Sequence, residues 1–182
     1  RLYFTPANDA SMACLRRIFH RLTGVEHGKP RSVEVRGRQL VLNEVAEGVA
    51  FVTFDDLCMK PLGALDYLAI AEGFHTVIMS DIPVLNRDRR AEARRFITLV
   101  DTLYDQQISL IVSADAEPDD LHPIGDESFL FERTASRLIE MRSEVYLEAR
   151  RAMPVVKATT EPQVWKKVFH DVCSWTQSLI RL

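Results

Sequence analysis

The sequence predicts an α/β fold: a parallel βαβ unit, preceded by a helix and a small antiparallel hairpin unit and followed by C-terminal helices. Three observations carry this expectation. Two short apolar runs, "HTVIMSD" and "ISLIVSAD", flank the amphipathic stretch "NRDRRAEARRFITLVDTLYDQQ". Strands separated by a helix of that length pair in parallel, with helices covering the sheet. Residues 9–22 repeat apolar side chains at helical spacing. Between helix and βαβ unit, "SVEVRGRQLVLNEV" alternates apolar and polar residues around Arg36-Gly37-Arg38, the pattern of a hairpin with one buried face.

Taken in order, the first helix places Met12, Leu15, Ile18, Phe19 and Leu22 on one stripe, with Asp9 or Ser11 as its N-cap and Gly24 beyond its end. "GVEHGKPR" reads as a polar connection. The hairpin follows, and "VAFVTF" after Glu47-Gly48 supplies a third strand. From Phe54 the rhythm changes to alternating helix and strand. "FDDLCMKPLGALDYLAIAEGF" is a loop and then a helix, and the long helix of the βαβ unit buries Ala93, Phe96, Val100 and Leu103. "AEPDDLHPIGDESFLF" reads as an acidic surface loop with one helical turn. "ERTASRLIEMRSEVYLEARR" reads as a helix with Leu138, Met141, Val145 and Ala149 inward. Pro154 ends it, "PVVKATTEP" resembles a linker, and the last segment sets Val164, Val168, Val172, Trp175 and Leu179 on a helical face. The expected division is therefore 1–151 as the α/β part and 152–182 as linker and amphipathic C-terminal helix.

Composition narrows the classes. With 182 residues, 47% hydrophobic and 27% charged, the chain is expected to be a soluble folded domain. A net charge of -3 gives no polyanion-binding excess, so no nucleic-acid partner is expected. Cys14, Cys58 and Cys173 are odd in number and lack CxxC spacing, which fits thiols in a reducing compartment and offers no zinc site. No apolar run approaches the roughly 18 residues of a membrane span. The chain opens at Arg1 rather than Met, as a fragment or processed product would.

Chemistry is expected at the strand ends. Asp81 closes "TVIMSD" and Ser113-Ala114-Asp115 close "ISLIVSAD", and parallel sheets bind ligands beyond the carboxyl ends of their strands. In P-loop enzymes one such strand carries a magnesium-linked Asp, and a neighbour carries a polar residue near the γ-phosphate. The competing reading is an Asp-Ile-Pro turn that ends the strand, with Pro83 blocking continuation. The sequence contains no GxxxxGK[ST] and no GxGxxG, so no identifiable loop cradles phosphates. A stand-alone magnesium phosphohydrolase using Asp81 and Asp115 is the weakest of the readings.

Other groups are less telling. His20, His27, His75, His122 and His170 lack metal-ligand spacing, and "RDRRAEARR" interleaves Asp88 and Glu92 as a solvated, salt-bridged face would. Arg133 and Arg137 stand four apart near the start of a helix and offer planar cationic forks for a phosphate or carboxylate. Their alternative is structural pairing with Glu132, Glu140 or the acidic loop.

The order of "FDDLCMKPLGALDYLAIAEGFHTVIMSDIPVL", "ARRFITLVDTLYDQQISLIVSADAEPDDLHP" and "FERTASRLIEMRSEVYL" closely resembles the C-terminal half of the AFG-like P-loop ATPases, the family that includes the bacterial division protein ZapE. "RLYFTPANDASMACLRRIFHRL" and the Arg-Gly-Arg hairpin fit the same half, so the likeness covers residues 1–150. The resemblance implies part of an AAA+-related ATPase with a P-loop/AAA+-type sheet. Its Walker A and B sequences would lie in an upstream half, its partner, with ATP and magnesium as cofactors of the complete enzyme and none expected for this chain alone. It further implies FtsZ or another protein substrate, assembly as a homo-oligomer, and a cytoplasmic setting in bacteria or one peripheral to the mitochondrial inner membrane in eukaryotes. Roles in cell division or protein quality control would follow.

In this resemblance Asp81 and Ser113-Ala114 look like an echo of a Walker B strand and a sensor strand. Arg133 and Arg137 match the "RT-x-SRL" pattern and become candidates for nucleotide sensing or an intersubunit role. Beyond Arg151 the chain departs from the bacterial pattern. The alternative function is a non-enzymatic interaction module, with the hairpin and the tail aromatics Trp165, Phe169 and Trp175 docking a division or membrane-associated partner.

Overall fold

A computed structural model of the chain describes residues 2–122, 128–143 and 146. Six strands form one sheet: β1 (Tyr3–Phe4), β2 (Lys29–Val35), β3 (Arg38–Ala46), β4 (Val49–Thr53), β5 (Thr76–Ile82) and β6 (Ser109–Ala114), in the spatial order β1-β6-β5-β4-β3-β2. The pairings β1–β6, β6–β5 and β5–β4 are parallel, and β4–β3 and β3–β2 are antiparallel. The expected βαβ unit is present as β5, helix α3 (Arg90–Asp105) and β6. The hairpin, however, is not a separate unit. β4 pairs with β3 on one side and β5 on the other, so its hydrogen-bonding edges join the two halves into a single sheet.

Both β2–β3 and β3–β4 turn on two residues of positive φ, Arg36-Gly37 at 48° and 77° and Glu47-Gly48 at 47° and 74°. Two successive positive angles match the right-handed strand twist, which makes these tight hairpins. β2 begins at Lys29, inside the stretch expected to be a connection, because Lys29 and Arg31 pair with Val45 and Leu42 across a bulge. The two-residue β1 has too little pattern to signal itself. Its backbone pairing with Val112 and Ser113 makes it a strand.

Helix α1 (Asp9–Thr23) is capped by Asn8, one residue earlier than expected. The Ser11 N–H donates to Asn8 Oδ1 at 3.0 Å and the Asn8 N–H to Ser11 Oγ at 2.8 Å, a reciprocal box that satisfies two otherwise orphaned donors. Gly24 closes the helix at φ 76°, its N–H donating to the His20 carbonyl. On one sheet face Leu15 and Phe19 of α1 pack with Val49, Phe51, Ile78 and Ile111. On the opposite face α2 (Ala64–Gly73), α3 and α4 (Ser128–Met141) bury Tyr67, Ile70, Phe96, Val100, Leu103, Phe131 and Leu138 against Ala50, Val52, Val77, Met79, Leu110 and Val112. Alternate residues of β4, β5 and β6 thus serve opposite cores, as the period of two requires.

Ala93, Phe96, Val100 and Leu103 are buried as the stripe predicts. So are Leu138 and Met141 of α4, whose helix starts at Ser128 rather than near Glu132. Val145, Ala149, the linker at Pro154 and the helix expected in the tail lie outside the described residues.

Candidate functional site

The parallel strands β1, β4, β5 and β6 end on one rim of the sheet, and register places Thr53 beside Ser80 and Phe4 beside Ser113. The rim therefore brings together Thr53, Ser80, Asp81 and Ser113 from strands far apart in sequence. Asp81 does not end its strand. β5 runs on to Ile82, which pairs with Ala114, while Met79 pairs with Val112, so one extra residue of β5 is accommodated in a bulge. Asp81 takes φ 62° there, a conformation that few residues other than glycine adopt and that aspartate tolerates comparatively well. Its N–H, displaced from the ladder, donates to Ser113 Oγ at 3.1 Å. Its carboxylate is turned out to solvent and accepts from Ser80 Oγ at 2.7 Å.

Asp56 shares the rim through Thr53. One carboxylate oxygen accepts from the Thr53 N–H at 3.0 Å and from Thr53 Oγ1 at 2.9 Å, and the other from Lys60 Nζ at 3.2 Å. Burial alone would raise its pKa, but these hydrogen bonds to the charged form outweigh it and hold the carboxyl below its ordinary value. Among the described residues no three His, Cys, Asp or Glu side chains converge to hold a metal ion.

Arg133 and Arg137 lie elsewhere, on α4 where it packs along α3. Asp101 receives both: Arg133 Nη2 pairs with its Oδ2 and Arg137 Nη1 with its Oδ1. Arg137 also reaches Asp105 Oδ1 at 3.3 Å and lies 4.7 Å above the Tyr104 ring. Tyr104 in turn donates to Glu140 Oε2 at 2.8 Å and stacks on Tyr146. The two arginines are together, as their spacing predicts. Among the described residues their carboxylate partners are the α3 aspartates Asp101 and Asp105 rather than Glu132 or Glu140. Asp101 is not among the residues that the sequence singles out. The signal that could have found it is its place one position beyond Val100, on the flank of the buried stripe that a second helix must cover.

Leu121 and His122, at the end of the stretch described after β6, are held by backbone and ring contacts. The Leu85 N–H donates to the Leu121 carbonyl at 2.7 Å, and buried His122 donates through Nδ1 to the Leu85 carbonyl while packing on the Phe131 ring. Buried Cys58, whose thiol pKa is pushed up by burial, is unsuited to act as a thiolate.

Comparison with known proteins adds family context. The family model described as AFG1-like ATPase matches residues 1–150. "Cell division protein ZapE" of Escherichia coli K12 is 35% identical over 147 residues, 81% of this chain and 39% of ZapE. "Lactation elevated protein 1 homolog B" of Danio rerio is 32% identical over 180 residues, covering 80% of this chain and 36% of that protein. The chain thus spans little more than a third of the length of these relatives. No solved structure matches it at a significant level.

Proposed function

Because the chain belongs to the AFG1-like ATPase family, we propose that it forms the C-terminal α/β part of an ATP-hydrolysing P-loop enzyme. The observation that carries this reading is the family match over residues 1–150, paired with coverage of only 39% of ZapE. A phosphate-cradling loop and a magnesium-holding carboxylate would come from the remainder of the complete protein. This chain contributes sheet, rim and helical cover. The bulged Asp81 would meet nucleotide-linked water or a switch segment at the strand rim.

Arg133 and Arg137 would sense nucleotide or a neighbouring subunit. Exposure favours Arg133 for direct contact, since its side chain is 55% exposed against 20% for Arg137. The ATPase would serve cell division, as the name of the bacterial relative states of that protein, or protein quality control. FtsZ or another protein would be its substrate, in a bacterial cytoplasm or beside a mitochondrial inner membrane. No helix among the described residues is long and apolar enough to cross a membrane.

Equilibrium binding of magnesium-ATP separates the possibilities. The isolated chain is expected to show no tight binding, whereas the full-length protein that carries it hydrolyses ATP. Tight binding by the isolated chain would defeat the assignment of the phosphate site to another part of the protein.

A further inference from the structure

Strand β3 runs past the strand that should flank it. Its nine residues pair with β2 from Arg38 onward, yet only Glu44, Val45 and Ala46 have partners on β4. Two residues beyond the pair Glu44–Phe51, continued register would set Leu42 beside Thr53. The Thr53 N–H instead donates to Asp56 Oδ2 at 3.0 Å, and the ladder between β3 and β4 stops there. The step from Lys29 to Arg31 on β2 spans Val45 to Leu42 on β3, so β3 carries an extra residue, and a bulged strand bends. Beyond the bulge Arg38–Leu42 pair, among the described residues, with β2 alone.

The two-residue turn Arg36-Gly37 closes on Val35 and Arg38, a pair bonded across the turn. Alternation then directs the backbone groups of Arg38, Leu40 and Leu42 toward β2 and leaves those of Gln39 and Val41 on the open side. Gln39, Val41 and Asn43 are exposed, Val41 by 47%. The hairpin is nevertheless held firmly. Val35, Leu40 and Leu42 are buried in the core that includes Tyr67 and Ile70 of α2. Arg38 pairs with buried Asp66, which also accepts the Gly63 N–H at 2.8 Å. The open edge is therefore ordered before anything binds it.

The outer side of β2 is built differently. It presents Lys29, Pro30 and Arg31, a proline and two charges of the kind that discourage a further strand. The β3 run Arg38–Asn43, "RQLVLN", has no proline, glycine, lysine or acidic residue, and exposed Arg36 stands at its turn end.

We propose that the β3 edge from Gln39 to Asn43 takes an extended, unfolded segment of a partner protein as an added antiparallel strand. Main-chain groups of that segment satisfy those of Gln39 and Val41, and its side chains lie beside Val41. An antiparallel guest has its C-terminal end at the turn, where an acidic residue meets Arg36. Nucleotide plays no part in this contact, so it stands or falls separately from the ATPase reading.

A fluorescein-labelled probe, Thr-Val-Thr-Val-Thr-Asp-Asp-amide, titrated with the full-length protein and followed by anisotropy, tests this. Saturable binding is expected. N-methylation of one alternate set of probe amides should weaken it roughly tenfold, because it removes main-chain bonds, while methylation of the other set should not. Val41→Pro removes an outward N–H and should weaken binding severalfold. Arg36→Glu should also weaken it severalfold and should favour a probe ending in Lys-Lys. Glutamate suits that position, since Glu47 holds the equivalent place in the next turn at φ 47°.

If the Tm shows that Val41→Pro does not fold, Arg36→Glu and the methylated probes carry the test. Absence of saturable binding at millimolar protein overturns the proposal, as does binding indifferent to both methylation patterns and to the folded variants. Dimerisation of the full-length protein through this edge, competing with the probe and lost in Arg36→Glu, would assign the edge to a second copy of the chain and overturn it as well.

Discussion

Asp81 and Arg137 are both charged side chains that the sequence marks as candidates, and the fold treats them oppositely. Asp81 sits on an exposed bulge at positive φ, its carboxylate accepting from the neighbouring Ser80 hydroxyl. Arg137 is largely covered and has its charge matched by Asp101 and Asp105 across a helix–helix seam. The strand rim holds Asp81 in an uncommon backbone shape and leaves its carboxylate facing solvent. The seam compensates its cation almost fully. A group arranged in the first way is available to an incoming ligand, and strain at such positions persists only when the surrounding sheet imposes it. A group arranged in the second way serves the attachment of α4. Arg133, exposed but tethered, lies between these extremes.

The largest expected effect would break both regions together. Phe96 of α3 is fully buried, with ring centroids 6.1 Å from Phe54 and 6.4 Å from Phe131, so it links the segment after β4 to α4. Phe96→Ala should cost about 3–5 kcal/mol. Denaturant unfolding would measure it, and a loss below about 1 kcal/mol would mean that rim and seam are not supported by one core.

Within the seam, Arg137→Ala should cost about 2 kcal/mol, since it removes two ion pairs, a cation–π contact and stem packing. Arg133→Ala should cost less than about 1 kcal/mol as an exposed pair. Equal losses in thermal or chemical melts would contradict the ordering of the two arginines.

At the rim, Asp81→Val should destabilise by about 1–2 kcal/mol, because a β-branched residue resists positive φ. Asp81→Gly should stay within about 0.5 kcal/mol of wild type: relief of the backbone is offset by greater freedom of the unfolded chain. A glycine variant as unstable as the valine one would assign the effect to the lost carboxylate instead of the backbone.

The smallest effect concerns pH. Asp56 has a folded-state pKa below its ordinary value, so its contribution is fully present above the unfolded-state value near 3.8 and is lost as pH falls through the lowered folded one. With the side chain 26% exposed and screened, the contribution should stay under about 1 kcal/mol. Melting curves of wild type and Asp56→Asn should therefore converge as pH drops through the acid range. A constant difference would show that Asp56 acts through packing and not through its charge.

Much of the fold was readable because local pattern and tertiary environment agree. The stripe Ala93, Phe96, Val100 and Leu103 has one periodicity and faces one core, and the Gly37 and Gly48 turns have few backbone alternatives. β1 was not readable, since two residues carry no period. Nor was the continuity of the sheet, because β4 has the same sequence whether it borders one neighbour or two. Of the candidate site, the types and neighbourhoods of Asp81, Arg133 and Arg137 could be read, but their states could not. The bulge that turns Asp81 outward depends on the hydroxyl of Ser113, 32 positions away, and the neutralisation of Arg137 on Asp101, 36 positions away.

The sequence by itself determined the α/β class, the order of its main elements, the faces of its helices and the family to which it is kin, because these follow from short-range periodicity and from residues in a fixed order. The tertiary structure decided which charges are available and which are matched. That property is set by partners brought together through space, and a carboxylate has no fixed role until the fold determines whether a bulge exposes it or a neighbouring helix covers it.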